Sequence, residues 1–370
     1  MAGESIVAKL QSQLSDVLSI NDVQVLEAPD RSVSFSGHLL REPDDAYSVL
    51  RERFQALGYT PFLRKQGENQ VVIAQQGVIL PRASQVWINV ALFVATLIAT
   101  LLTGAFNEVA PRVPATDQII PTMLRQPVLL LTGLPFALTL MSILLAHEMG
   151  HYVVGRRYNA PVSLPYFIPM PIVGLFGTMG AVIVQRAPFE DRRSLFDIAI
   201  AGPLAGLVVA LPLLVFGLAT SPVGPLPPHG LLEGNSILYL AIKYLIFGKI
   251  LPGGGLDVSL NAVAWAAWGG LLVTSLNLLP IGQLDGGHIL YSLLGRRAWP
   301  VAMVMVVLLV AMGFLWQGWF VWAFLVLIFG VRHPAPLNDL SPMGPQRTLA
   351  GIGMLVLFVL VFAPIPLSTF

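Results

Sequence analysis

Residues 127–153 read PVLLLTGLPFALTLMSILLAHEMGHYV, an apolar run that ends in two histidines and a glutamate. A transmembrane helix needs roughly 20 predominantly apolar residues, and this run is long enough. The rest of the 370-residue chain has the same character, because 55% of it is hydrophobic and only 11% is charged. Soluble domains carry about 25% charged residues. The composition therefore indicates an integral membrane protein.

Further membrane spans are expected on both sides of this run, at 86–106, 195–219, 259–280, 298–315, 317–331 and 347–365. The run at 235–250 is shorter and carries Lys243 and Lys249, so we expect it to lie at the interface or to re-enter the bilayer. The expected fold is a polytopic α-helical membrane protein with about seven transmembrane helices.

The orientation follows from the positions of the arginines. They cluster at 156–157, 186–193 and 296–297, and recur at Arg332 and Arg347. Short loops rich in Lys and Arg stay on the cytoplasmic side of a membrane. With seven spans all of these loops fall on one side, which places the N-terminus in the cytoplasm. If 235–250 also spanned, 296–297 would move to the other side, which the rule disfavours.

The first 83 residues differ in composition from the rest. Ten of the 20 acidic residues lie in the first 68 positions. Alternating runs at 33–40 and near Val71 predict strands, and apolar residues at helical spacing predict a helix over 43–57. We expect a small α+β soluble domain at 1–83 and a transmembrane domain at 84–370, with its core at about 127–295.

The segment 161–188 is rich in Gly, Pro and β-branched residues and is a poor helix former. Backbone at membrane depth must satisfy its hydrogen bonds against protein or a water-filled cavity. The sequence therefore predicts a hairpin or loop that lines an internal chamber, with a strand edge able to pair with an unwound peptide. A loop lying on the lipid headgroups is the alternative.

The motif His147-Glu148-Met149-Gly150-His151 lies at the end of the opening run. Positions i and i+4 of a helix share one face, so both imidazoles can hold one zinc ion while Glu148 reaches its water. Ionisable groups are costly inside a bilayer and mark functional sites there. Histidines that only form hydrogen bonds to neighbouring helices are the alternative.

A catalytic zinc requires a third protein ligand, and with no cysteine in the chain the ligand must come from His, Asp or Glu. Four residues beyond His151 lie in or against apolar sequence: Asp197, Asp257, Asp285 and His288. Asp285 is the strongest candidate, because Pro280 and several glycines break the helix around it. We expect Asp197 to pair with an arginine such as Arg193, and His288 either to orient Asp285 or only to pack.

HEMGH at 147–151, followed by NLLPIGQLDGGH at 277–288, resembles the site-2 protease family of intramembrane zinc metalloproteases. The intervening GTMGAVIVQRAPFEDRRSLFDIAIAGPLAG, 177–206, resembles the branch that contains the plastid ethylene-dependent gravitropism-deficient and yellow-green proteins and bacterial relatives. The clear resemblance extends over about 129–288.

The resemblance implies one Zn²⁺ per chain, held by His147, His151 and Asp285, with Glu148 as the catalytic base. It implies that Asn277 contacts the substrate or stabilises an oxyanion; a helix-breaking turn residue is the alternative. The implied activity is hydrolysis of peptide bonds in or near transmembrane segments. The implied partner is a membrane protein substrate, usually single-pass and already trimmed by another protease.

Two other functions stay open, a non-hydrolysing member of this family and a metal-binding membrane transporter or scaffold. The net charge of +1 gives no reason to expect nucleic acid, which requires a concentrated basic face. The first 25 residues contain acids and lack both a signal core and the bias of a transit peptide. We therefore expect a bacterial inner membrane in preference to a plastid membrane. The sequence leaves the oligomeric state open.

Overall fold

The computed structural model describes residues 2–26, 32–79, 85–171, 174–226 and 230–369. The described chain is mostly helical, as the sequence predicts. The boundary expected at 83–84 lies outside the described residues.

The N-terminal unit is a four-stranded antiparallel sheet with two helices. Its elements are α1 (Ala2–Ser12), β1 (Leu18–Leu26), β2 (Ser32–Leu39), α2 (Pro43–Ala56), β3 (Tyr59–Gln66) and β4 (Asn69–Gln76). The strand order β1-β2-β4-β3 leaves β3 at one edge. Alternation in β2 buries Val33 and Phe35, and the helical spacing of Leu50 and Phe54 buries both against them. The core of this unit is therefore separate from the membrane helices.

The remaining helices are α3 (Val86–Val109), α4 (Ile119–Arg125), α5 (Leu134–Arg157), α6 (Arg192–Ala219), α7 (Ile237–Phe247), α8 (Ala262–Asn277), α9 (Asp285–Leu294), α10 (Ala298–Met312), α11 (Gly318–Phe329) and α12 (Pro345–Val361). Among the described residues, four stretches are long and apolar enough to cross a membrane: Val86–Arg112, Pro127–Arg157, Arg192–Ala219 and Asp285–Met312. The helices at the other three expected spans, α8, α11 and α12, are shorter.

Short strands complete the membrane part. They are β5 (Tyr166–Pro169), β6 (Thr178–Val182), β7 (Val223–Pro225), β8 (Leu231–Glu233), β9 (Leu256–Val258) and β10 (Leu367–Thr369). Strands β5 and β6 pair as an antiparallel hairpin within the segment 161–188. The Asn89 side chain of α3 donates to the carbonyls of Leu164 and Pro165, each at 2.9 Å, and so fastens the start of the hairpin to α3.

One face of the molecule gathers the basic loops and the N-terminal unit. Arg193, at the start of α6, forms an ion pair with Asp44 of α2 at 2.9 Å. Arg347, at the start of α12, forms an ion pair with Asp197 at 2.8 Å. The expected pairing of Asp197 with an arginine is therefore confirmed, but the partner is Arg347 and not Arg193, because the N-terminal unit supplies Arg193 with a different carboxylate.

The opposite face is closed by strand pairs β7–β9 and β8–β10 and by α7. Lys243 of α7 is fully buried there, between Glu233 at 3.2 Å and Asp257 at 3.1 Å. A buried ammonium group requires such partners, since an unpaired charge is costly in an apolar interior. Lys243, one of the two lysines that led us to expect an interfacial segment at 235–250, is thus bonded to protein carboxylates.

A short segment, residues 336–341, joins the N-terminal unit to the membrane part, and we call it the strap. It lies along the edge of β3, where the Leu63 amide donates to the Leu337 carbonyl at 2.9 Å. On its other side, the Asn338 amide donates to the Glu190 carbonyl at 2.7 Å. The strap therefore bridges the edge of the sheet and the segment that leads into α6.

Candidate metal centre

The two motif histidines lie one turn apart on α5, both buried, with ring centroids 5.0 Å apart. The Nε2 atoms of His147 and His151 are 3.2 Å from each other. Asp285 places one carboxylate oxygen 3.2 Å from His147 Nε2 and the other 3.3 Å from His151 Nε2. The ligand atoms of all three residues lie within 4.8 Å of one another, and they form the one such group among the described residues.

The position of Asp285 depends on the broken helix between α8 and α9. Asp285 is the first residue of α9, and the turn before it folds back tightly. A Cβ at Gly286 would lie 2.0 Å from the Leu278 carbonyl oxygen, and a Cβ at Gly287 would lie 2.4 Å from that of Gly282. The glycines therefore allow the close backbone contact that brings the carboxylate to α5.

Helix α6 forms the wall behind the histidines. A Cβ at Gly202 would lie 2.0 Å from His151 Nε2, and one at Gly206 would lie 3.2 Å from His147. Small residues permit such close approach of helices in lipid. The sequence 201–206 is thus a packing surface for the imidazoles.

The carbonyl of Ile198 fixes the orientation of His151. Nδ1 of His151 lies 2.7 Å from this buried oxygen, so Nδ1 carries the hydrogen and donates it. The lone pair on Nε2 is then free to bind a metal ion, as in metal sites where an outer partner sets the tautomer. Sequence reasoning missed this contact, because any residue can supply a backbone carbonyl.

A cavity of about 160 Å³ adjoins the three residues and is lined by Glu148, Asn277 and the end of the hairpin. Glu148 is buried on α5 between the two histidines. The side-chain nitrogen of Asn277, at the end of α8, lies 3.3 Å from His147 Nε2. Gln185, which the sequence did not single out, lines the cavity with both amide atoms unpartnered in the described structure.

The other candidates lie elsewhere or contact the site indirectly. Asp197 pairs with Arg347, and Asp257 lies at the far face beside Lys243. His288 lines the cavity, but its Nδ1 contacts Nε2 of His333 rather than Asp285. Burial lowers the pKa of His333 to about 3, so this ring is neutral.

The fold and the site together define a class, an integral membrane protein whose apolar helices bring two buried histidines together with an aspartate. Such ionisable clusters at membrane depth mark functional sites.

Residues 135–317 match the model of Peptidase family M50 and form a domain of that family. The resemblance to the site-2 protease family is therefore confirmed. The chain is 30% identical over 354 residues to the probable zinc metalloprotease EGY2, chloroplastic, of Arabidopsis thaliana, across 92% of this chain and 62% of the relative. It is 28% identical over 371 residues to the probable zinc metalloprotease EGY1, chloroplastic, of Oryza sativa subsp. japonica, across 98% of this chain and 61% of the relative.

A third relative, the probable zinc metalloprotease EGY1, chloroplastic, of Arabidopsis thaliana, is 33% identical over 245 residues, 63% of this chain and 43% of the relative. The chain thus spans less than two thirds of the length of these curated relatives. No solved structure matches it significantly.

Proposed function

We propose that the protein is a zinc-dependent endopeptidase that hydrolyses peptide bonds of membrane proteins within or beside the bilayer. The observation that carries the proposal is the convergence of His147, His151 and Asp285 within 4.8 Å, inside apolar helices and beside Glu148. The Peptidase family M50 match and the names of the relatives support it.

The donor set suits zinc. Two imidazoles and one carboxylate are ligands that Zn²⁺ takes, and a catalytic site uses three protein ligands and leaves one position open. The fixed tautomer of His151 supports this fit. We propose that His147, His151 and Asp285 hold one zinc ion per chain. When bound, zinc supplies a Lewis acid that polarises the scissile carbonyl and activates water near neutral pH.

Glu148 is the proposed base. Its carboxylate takes a proton from the attacking water and later gives that proton to the amine nitrogen that leaves the cleaved bond. Its burial in the cavity beside both histidines supports this role. Asn277 is proposed to donate a hydrogen bond to the substrate carbonyl as negative charge develops on that oxygen, since its amide already points at the site.

The hairpin is the proposed binding surface for the substrate backbone. Ala181, Val182 and Ile183, at the end of β6, line the cavity. An unwound stretch of a single-pass membrane protein can add to a strand edge through main-chain hydrogen bonds. The side-chain amide of Gln185, which has no partner among the described residues, offers a further donor and acceptor beside it.

We propose seven membrane spans, the four long stretches together with α8, α11 and α12. We further propose a soluble domain at 1–83, a membrane domain at 84–370 and a catalytic core at about 127–295. The clustering of the basic loops and the N-terminal unit on one face supports a position for both on the same side of the membrane.

The chain is an integral membrane protein by its apolar helices. The expected bacterial inner membrane gains no support from the relatives, whose names describe them as chloroplastic. The comparisons favour a plastid membrane instead.

The test compares the wild type with Glu148→Gln, which removes the base and spares the metal ligands. Each protein is reconstituted in vesicles with a mixture of single-pass membrane proteins, and new peptide N-termini are quantified by mass spectrometry. We expect Glu148→Gln to retain zinc and to lower the yield of new N-termini at least about 100-fold. Glu108→Gln, at the exposed end of α3, is the matched control and should cleave normally. Cleavage that persists in Glu148→Gln would refute the proposal.

A further inference from the structure

A second cavity, of about 350 Å³, lies between the α9–α10 junction and residues 331–335. Arg296 and Arg332 line it, together with Trp299 and Tyr291. We propose that this cavity binds the phosphate headgroup of an anionic membrane lipid.

The charge around the cavity favours an anion. Besides Arg296 and Arg332, two further guanidinium groups lie close by. The first is Arg192, whose Nη2 atom would lie 2.4 Å from a Cβ placed at Gly295. The second is Arg64 of the N-terminal unit, which is near enough to Arg296 for the two charges to repel.

The neighbouring acid does not neutralise this cluster. Asp339 forms an ion pair with Arg192 at 2.8 Å and accepts a hydrogen bond from the Tyr291 hydroxyl at 3.1 Å. In the part of the chain that the structure describes, neither Arg296 nor Arg332 forms an ion pair with a carboxylate. Two guanidinium groups therefore remain available to a ligand.

The geometry of Arg332 suits phosphate recognition. Its guanidinium carbon lies 4.6 Å above the centre of the Trp299 ring. A cation–π contact of this kind holds the guanidinium group over the ring. The planar fork of a guanidinium group can donate to two phosphate oxygens at once. A lysine at this position would supply charge without this fork.

The surroundings identify the source of the phosphate as a lipid. The cavity lies where α10 begins and just beyond the end of α11, at the end of two apolar helices. Ile328 and Phe329 of α11 are exposed, as is Met303 of α10, so acyl chains can cover the surface next to the cavity. Basic and aromatic side chains at helix ends bind headgroups at the membrane interface.

The cavity also borders the turn that carries a proposed metal ligand. Pro280, Gly282 and Gly287 form part of its wall, and this turn presents Asp285 to the histidines. A bound headgroup therefore packs against the turn. Binding of the lipid does not depend on the proposed peptidase activity, so the two proposals can fail separately.

The experiment measures lipid retention by native mass spectrometry of the full chain in a neutral detergent. The probes are phosphatidylglycerol, phosphatidylcholine as the neutral comparison, and inorganic phosphate. We expect the wild type to retain phosphatidylglycerol in preference to phosphatidylcholine. Each arginine removed should weaken retention about fivefold. The variants are Arg296→Gln, Arg332→Gln and their combination, with Arg297→Gln as the matched control because Arg297 lies outside the cavity lining.

Retention lost in the combined variant and kept in Arg297→Gln would support the site. Equal retention of both lipids, or a combined variant that binds like the wild type, would overturn it. If inorganic phosphate displaces the lipid at equal concentration, the cavity binds a free anion, and the proposal of a lipid ligand is overturned. If the combined variant fails to fold, two other measurements test the site. The proposal requires that Arg332→Lys retains less phosphatidylglycerol than the wild type, and that the wild type retains less of it at high salt.

Discussion

Gly202 shows how closely the metal centre depends on one backbone contact. Because a Cβ there would lie 2.0 Å from His151 Nε2, alanine must displace either the imidazole or helix α6. We predict that Gly202→Ala weakens zinc binding at least about 10-fold, the lower range for changes to groups that orient a ligand. Zinc per chain, measured by elemental analysis after dialysis, tests this. Gly353→Ala is the control, because a Cβ at Gly353 meets no atom of the described residues within 4 Å.

A substitution of Asp285 tests whether the three residues form a metal site or only a chance cluster of polar groups. We predict that the wild type, prepared without chelators, holds about one zinc ion per chain, and that Asp285→Ala binds it at least about 100-fold more weakly, because a direct ligand is lost. Asp197→Asn removes an acid that the structure places with Arg347 and should keep its zinc. A wild type that takes up no zinc would favour a non-hydrolysing family member.

At this scale the sequence is informative where chemistry depends on local spacing. The i, i+4 interval brings His147 and His151 together, and the broken helix indicates Asp285. Prediction from the sequence fails where the partner of a side chain is a distant backbone group or lies in another domain. The Ile198 carbonyl has no residue signature, and the carboxylate of Asp44 reaches Arg193 only through the docking of the N-terminal unit.

Among the elements, the start of the hairpin is bonded to α3 through the Asn89 side chain. We predict that Asn89→Ala destabilises the protein by about 1–3 kcal/mol, because it removes the side-chain donor to the buried Pro165 carbonyl and leaves the Leu164 carbonyl with the Ser163 hydroxyl alone. The thermal unfolding midpoint in detergent should fall, and a protease should cut the hairpin faster. Asn107→Ala, at an exposed position of the same helix, should change neither. An unchanged hairpin in Asn89→Ala would show that other contacts fasten it.

The secondary structure of the membrane part follows from apolar run length, and four long helices lie at expected spans. The hairpin could be expected only as one of two alternatives, because Gly and Pro exclude helix without specifying strand pairing. Helix α9 starts at Asp285, well before the expected span at 298–315. The sequence does not predict this start, because Gly286 and Gly287 are poor helix formers that are tolerated here for their close contact with the preceding turn.

For the molecule as a whole, the clustering of basic loops predicts a topology. The chain contains no cysteine, so each introduced thiol reports alone. We predict that Arg156→Cys and Arg297→Cys react with an impermeant thiol reagent from the same side of the membrane, and that Lys249→Cys reacts from the other. Arg156→Cys and Arg297→Cys reacting from opposite sides would contradict the arrangement of seven spans.

The docking of the N-terminal unit could not be predicted. The strap has neither a helical nor an alternating apolar pattern, and its pairing with β3 and with the segment before α6 exists only in the folded molecule. Composition separates the two parts of the chain, but it carries no information on how they meet.

The strap also means that the edge of β3 is synthesised long before the segment that pairs with it. The edge of β3 is made early, and the strap residue Leu337, which Arg64 contacts, follows 273 residues later. During that interval the ribosome-bound chain displays an open strand edge, a surface that invites pairing with other chains. Arg64 and Lys65, at the end of β3, place charge on that edge, which discourages such pairing. A nascent chain that stops before residue 336 would leave the edge permanently open to aggregation.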